Sequence, residues 1–167
     1  MSLEVSLNCD GSRKLNSLSA GAGSVLRDHE GRWLGGCCRK IGRCTSLQAE
    51  LWALLDGLDL AWNLGFRDVF VQVDCLTALS LVRSVDEHPN ANASLLRSIQ
   101  RLMQQDWRIR IAHVYREGNR CADFLANYAL TLAVGNHTLE EPPDAMKNLL
   151  RDDAEGVGTV RLCHVNL

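Results

Sequence analysis

Long hydrophobic runs are missing from this chain of 167 residues: none approaches the roughly 20 residues that cross a bilayer, and no basic segment leading into an apolar stretch is found at its start. Neither a membrane span nor a secretory leader is predicted, and an intracellular location is expected. Internal repeats and low-complexity tracts are absent too, which excludes solenoids and disordered linkers. The seven cysteines (Cys9, Cys37, Cys38, Cys44, Cys75, Cys121, Cys163) are odd in number and contain no C-x-x-C pair, so they suggest neither a disulfide framework nor a zinc ribbon. Reduced, mostly buried thiols are expected. Excess positive charge is also lacking, with a formal net charge of −2 and a pI of about 6.2. The field of the whole molecule therefore does not gather polyanions, and any nucleic-acid contact must be local. What remains is an ordinary globular composition, 46% hydrophobic and 23% charged, in a chain long enough for one domain.

Periodicity divides that domain. Glu4–Cys9 alternates as a strand and meets a turn-like Asp10-Gly11-Ser12. Ala20–Leu26 and Arg32–Cys38 flank Asp28-His29-Glu30-Gly31, as in an antiparallel hairpin. Leu47, Leu51, Leu54, Leu55, Leu58, Ala61 and Trp62 then recur at helical spacing. Thr45 with Gln48 forms a capping box at the start of this helix, and Gly65 ends it. Val69, Val71 and Val73 mark a fourth strand that stops at Asp74, before a short helix through Leu76, Leu79 and Val82. After a polar break at 86–90 come a helix over Ser94–Met103, a strand with Ile109 and Ile111 ending near His113, and a helix carrying Ala122, Leu125 and Ala126. The order β-β-β-α-β-α-α-β-α describes an α/β domain: a five-stranded mixed sheet, three antiparallel strands followed by two parallel ones, flanked by helices. We place the domain at 1–135, followed by a tail at 136–167 with a short helix around Met146, Leu149 and Leu150.

Four acids occupy unusual places in this scheme. Asp10 and Asp74 stand at strand ends, Asp123 opens the last core helix, and Glu50 shares a helix face with core leucines. A buried carboxylate is costly unless its charge is offset, which a divalent cation shared with other carboxylates would do. Each acid also has a plainer reading: a turn for Asp10, a cap for Asp74, a first-turn acid for Asp123. Position alone indicates a hard-metal site and no more.

Five stretches carry further information: Asn8-Cys-Asp-Gly-Ser12, Ala20-Gly-Ala-Gly-Ser-Val-Leu-Arg-Asp28, Ser46-Leu-Gln-Ala-Glu-Leu-Trp-Ala-Leu54, Val71-Gln-Val-Asp74 and His113-Val-Tyr-Arg-Glu-Gly-Asn-Arg-Cys-Ala-Asp123. In this order they resemble the signatures of type 1 ribonucleases H, and more narrowly the plant version associated with non-LTR retroelement reverse transcriptases. The resemblance covers about residues 4 to 133. It implies the ribonuclease H-like fold and a two-metal hydrolysis, with Mg²⁺ or Mn²⁺, of the RNA strand of RNA/DNA hybrids, leaving a 5′-phosphate and a 3′-hydroxyl. It makes Asp10, Glu50, Asp74 and Asp123 the metal-binding catalytic acids. It makes His113 a mobile histidine that aids proton transfer or product release. Gly11, Ser12, Ser46 and Gln48 flank the acids as substrate contacts, although turn and cap roles explain them equally well.

The chain departs from some relatives in one respect. Between Ser84 and Asp106, where those relatives carry an inserted basic handle, only Arg97 and Arg101 are strong bases, against Asp86, Glu87 and Asp106. Weak intrinsic affinity for the hybrid follows, since fewer phosphates are neutralised. Tethering to a reverse transcriptase or another delivery domain is the expected remedy. Two other functions stay open at this point, a non-catalytic binding module and an integrase-like strand-transfer enzyme of the same fold.

Overall fold

The computed structural model describes residues 3–84, 91–156 and 162–163. The polar break at 86–90 and most of the chain beyond 156 lie outside the described residues. Three strands open the chain, β1 (Val5–Arg13), β2 (Ser19–Arg27) and β3 (Trp33–Arg43). They are followed by α1 (Ser46–Asn63), β4 (Asp68–Val73), α2 (Leu76–Arg83), α3 (Ala93–Met103) and β5 (Arg108–Val114). Next come α4 (Arg120–Tyr128), β6 (Gly135–Leu139), α5 (Lys147–Ala154) and the two-residue β7 (Leu162–Cys163).

The sheet order is β6-β3-β2-β1-β4-β5-β7. β4 is parallel to β1 and to β5, and the other pairings are antiparallel. The mixed sheet with the expected directions is present, but it has seven strands where five were predicted. Both additions cap an edge: β6 pairs with Gly36–Arg39, and β7 with His113 and Val114. Neither segment is long enough to show a clear two-residue alternation, so their pairing is decided by the edges that they cover.

Hydrophobic periodicity explains one face. Leu51, Leu54 and Leu58 of α1 are buried against Leu7, Val69 and Val71, and α2 and α3 join the same cluster through Leu79, Val82 and Ile99. The capping box forms as read, with Thr45 Oγ1 accepting from Gln48 N and Gln48 Oε1 accepting from Thr45 N. Gly65, at φ +89°, follows the helix in the left-handed conformation that favours glycine. No helix among the described residues is long and apolar enough to cross a membrane.

The other face depends on small residues. A Cβ on Gly23 would stand 2.4 Å from Ala126 N, and one on Gly21 2.1 Å from Ala126 O. The absence of side chains at these two positions lets α4 lie directly on β2. Leu125, Ala129, Met146 and Leu150 close over Val25 and Cys38 to form a second cluster. Cys9, Cys37, Cys38 and Cys121 are buried and Cys44 and Cys75 partly so, all as free thiols. The side chain of Cys163 is outside the described residues.

Candidate metal centre

β1 does not turn at Asp10-Gly11-Ser12, as the sequence suggested. It stays paired with β2 through Arg13, with Asp10 opposite Gly23 and Gly11 opposite Ala22. The reason lies above the strand, where a Cβ on Gly11 would fall 2.5 Å from Glu50 N. Glycine therefore serves close approach of α1 rather than a turn. That approach brings the first turns of α1 over the end of β1, where the Gly11 N–H is near enough to the Glu50 carboxylate to favour its ionised form. The parallel register, with Cys9 beside Val73, carries Asp74 to the same sheet end.

Asp10, Glu50 and Asp74 each place a carboxylate oxygen within 4.8 Å of the others. Asp10 is buried, and the other two are half-buried. Burial raises the pKa of all three from the ordinary carboxylate value. Negative charge adds to this at Asp10, from Glu50 and then Asp74, and at Glu50, from Asp74. The Arg116 guanidinium works in the opposite direction on Glu50 and Asp74.

The cluster lines a cleft of about 360 Å³ with Gly11, Ser12, Arg13, Ser46, Arg116, Arg120 and Asp123. Asp123 thus faces the other three acids from α4, although its oxygens are not in the tight group. It is exposed, and its Oδ1 accepts from Asn127 Nδ2 at 3.3 Å. Ser12 Oγ donates to Asn127 Oδ1 at 3.0 Å, so Asn127 ties the end of β1 to the acid of α4.

Of the expected substrate contacts, Gly11, Ser12 and Ser46 line the cleft, whereas Gln48 is engaged in the cap. His113 stands beside the cleft. Its Nε2 lies 3.2 Å from the Asp74 carbonyl oxygen, and its ring meets that of Tyr115 edge-on. At 7% exposure it is a buried residue rather than a solvent-facing one.

The sequence reading gave no role to Arg116, Arg120, Asn119 or Asn127. Asn127 had a local signal, since four residues after Asp123 it falls on the same helix face. Asn119, 1% exposed, donates to the Cys9 carbonyl at 2.8 Å and lies near enough to Asp74 to lower its pKa against the effect of burial. No periodicity marks that contact.

The donor set fits a hard divalent cation. It offers carboxylate oxygens from three elements at one point, and their mutual repulsion in a buried site is what such a cation would relieve.

Comparison with known proteins gives a concordant picture. The profile of the reverse transcriptase-like family matches residues 8–129. A candidate ribonuclease H protein of Arabidopsis thaliana is 44% identical over 154 residues, covering 91% of this chain and 24% of that protein. Ribonuclease HI of Halobacterium salinarum is 35% identical over 124 residues, covering 72% and 61% respectively. This chain therefore spans less than two thirds of the length of either relative. The N-terminal RNase H domain of a Mycobacterium tuberculosis protein, solved as a fusion with maltose-binding protein, superposes with a TM-score of 0.71 at 30% identity, over 78% of this chain and 95% of that one.

Proposed function

Because this chain belongs to the reverse transcriptase-like, ribonuclease H family, we propose that it is an endoribonuclease that cuts the RNA strand of RNA/DNA hybrids and leaves a 5′-phosphate and a 3′-hydroxyl. The observation that carries this reading is the convergence of Asp10, Glu50 and Asp74, with oxygens within 4.8 Å, in a cleft that Asp123 also lines. These four acids would hold two Mg²⁺ ions, replaceable by Mn²⁺. Bound there, the ions supply an attacking water acidic enough to ionise near neutral pH, and they offset charge at the scissile phosphate.

The protein's own part is mostly positional. The Gly11 N–H favours the ionised form of Glu50, and Asn119, bonded to the backbone of β1, favours that of Asp74. Arg116 and Arg120, on the cleft wall, would offer positive charge to the phosphate. Gly11, Ser12 and Ser46 form the rim that meets the minor groove, where the 2′-hydroxyl distinguishes RNA from DNA. Gln48 reaches that groove only by giving up its capping bond. His113 moves a proton or assists product release, which requires its Nε2 to leave the Asp74 carbonyl.

Affinity for the hybrid is low without help. In α3 and the turn after it, Arg97 and Arg101 are the strong bases up to Asp106. Delivery by a linked reverse transcriptase or similar domain supplies the missing effective concentration.

The reading is tested by incubating purified protein with end-labelled RNA/DNA hybrid, duplex DNA and duplex RNA, in Mg²⁺, Mn²⁺ or EDTA. We expect cuts in the RNA of the hybrid, dependent on metal, with both control duplexes intact. Equal cutting of duplex DNA would move the chain to strand-transfer or general nuclease chemistry, and no cutting with any metal would make it a binding module.

A further inference from the structure

α5 lies beyond residues 8–129, the span that carries the family signature, yet a buried chain of hydrogen bonds runs from it to the acids. Asp153 is where it starts. Its Oδ2 accepts from Arg27 Nη1 at 3.1 Å and from Cys121 Sγ at 3.2 Å, and its Oδ1 accepts from Arg120 Nη2 at 2.9 Å. The side chains of Asp153 and Arg27 are only 14% and 11% exposed. Arg27 Nη2 donates onward to Asn8 Oδ1 at 2.8 Å. Asn8 Nδ2 in turn donates to Asn119 Oδ1 at 3.1 Å and to Gln72 Oε1 at 2.9 Å. Asn119 Nδ2 completes the path at the Cys9 carbonyl, one residue before Asp10, and the same side chain is near enough to Asp74 to favour its ionised form.

Alternation explains why this path exists on this side. Leu7 and Cys9 of β1 face the apolar cluster under α1, so Asn8 and Asp10 project together toward α4 and α5. Asn8 thereby stands directly below the acid that ends the row. Each asparagine is used at both ends of its amide, which fixes its orientation and lets one link set the next. The branch to Arg120 matters as well, because Arg120 is also a residue of the acid cleft and its Nη2 donates to Asp153.

We propose that Asp153 is a positioning residue of the metal centre: acting through Arg27, Asn8 and Asn119, it fixes the spacing between Asp10 and Asp74, and α5 is thereby part of the active-site support. The inference rests on the metal-site reading given above. It assigns to the region after β6 a role that docking of an apolar helix would not give it. Groups behind metal ligands commonly alter affinity about 10- to 100-fold when removed, because the ligands lose their preset orientation.

The experiment is calorimetric titration of the full chain with Mn²⁺, alongside hybrid-cleavage rates and thermal midpoints, for wild type, Asp153→Asn, Asn8→Ala, the double variant and Leu150→Ala. Leu150 is a buried α5 residue that packs in the second cluster and makes none of these hydrogen bonds. We expect Asp153→Asn and Asn8→Ala each to weaken Mn²⁺ binding by about tenfold. The double variant should be little worse than either, as for residues acting through one path. Leu150→Ala should lower the thermal midpoint while leaving Mn²⁺ affinity as in wild type. Asn8→Ala cuts the path in the middle without unpairing Asp153 from Arg27, so it still reads the path if Asp153→Asn folds poorly. Equal loss of Mn²⁺ affinity in Leu150→Ala would overturn the proposal by reducing α5 to a packing element, and so would additive losses in the double variant. Wild type that binds Mn²⁺ but does not cut hybrid would overturn the functional reading alone, and the Mn²⁺ affinities of the variants would still decide the role of Asp153. Wild type that binds no Mn²⁺ would remove both.

Discussion

The two faces of the sheet are built differently. Under α1, α2 and α3 the contact is a layer of leucine, valine and isoleucine, whereas under α4 and α5 a smaller apolar cluster around Val25, Leu125 and Met146 lies beside glycine, alanine and a buried row of polar side chains. The apolar face gains its stability from area removed from water, which tolerates small shifts in position. The polar face works only at fixed distances, because each donor must meet its acceptor and each glycine admits one helix position. Asp10, Asp74 and Asp123 depend on the second face, and Glu50 is lowered onto them from the first. Stability and precise placement are thus largely divided between the two sides.

The difference is broken most sharply at the acids. Asp74→Asn is expected to lower hybrid cleavage at saturating metal by at least about 10³-fold, since it removes an ionised ligand while keeping the shape. The fold should survive. In metal-free protein at neutral pH Asp10→Asn should melt above wild type, because burial first and then the charge of Glu50 push the Asp10 carboxyl up to about 10 on folding, a cost that the amide does not carry. Initial rates and thermal melts check both statements.

A paired substitution then compares the faces directly. Leu58→Ala on the apolar side and Gly23→Ala on the polar side should each cost about 3 kcal/mol in urea unfolding, the first by leaving a cavity and the second by forcing α4 off the sheet. Their activities should separate. Leu58→Ala, two turns beyond Glu50, should keep the kcat of wild type in conditions where it is folded. Gly23→Ala should lose at least about tenfold, since a shift of α4 carries Asp123 with it.

These contrasts also explain what the sequence could reveal. The leucines of α1 repeat at helical spacing and the valines of β4 alternate, so the apolar face, the element order and the strand directions were legible from residues alone. So was the capping box at Thr45 and Gln48. The polar face leaves no such pattern. Asn8, Arg27, Asn119 and Asp153 are far apart in the chain, and their grouping follows only from the sheet register and the crossing of α4. Asp10-Gly11-Ser12 was misread for a related reason: a glycine that admits a helix and a glycine that turns a chain look alike until the helix is placed. Three of the acids could be singled out by positions read as element ends and Glu50 by its place among the leucines of α1, but the gathering of all four around one cleft is a tertiary fact. The edge strands β6 and β7 were missed because their short segments lack any period of their own.

A smaller effect is expected at His113, which is not one of the clustered acids and lies 3.2 Å from the Asp74 carbonyl oxygen. His113→Ala should retain metal binding, because a hard cation held by oxygens does not need imidazole. Its kcat should fall by about tenfold or more with KM little changed. Unaltered turnover would leave the residue a structural one. The smallest expected signal comes from the thiols. Burial pushes the Cys9 and Cys121 thiols up to about 12, so neither should be alkylated appreciably by iodoacetamide at pH 8 in the native protein. Among the described thiols, mass mapping should find Cys44 and Cys75 modified first, and early labelling of Cys121 would mean that α4 and α5 part more easily than the polar path between them allows.

The most direct test of the central claim is a crystal of the protein soaked in Mn²⁺ and measured for anomalous scattering. We expect manganese peaks within coordination distance of carboxylate oxygens of Asp10, Glu50 and Asp74, and loss of those peaks in Asp10→Asn. A protein that cuts hybrid in Mn²⁺ yet shows no manganese at these acids would contradict the account.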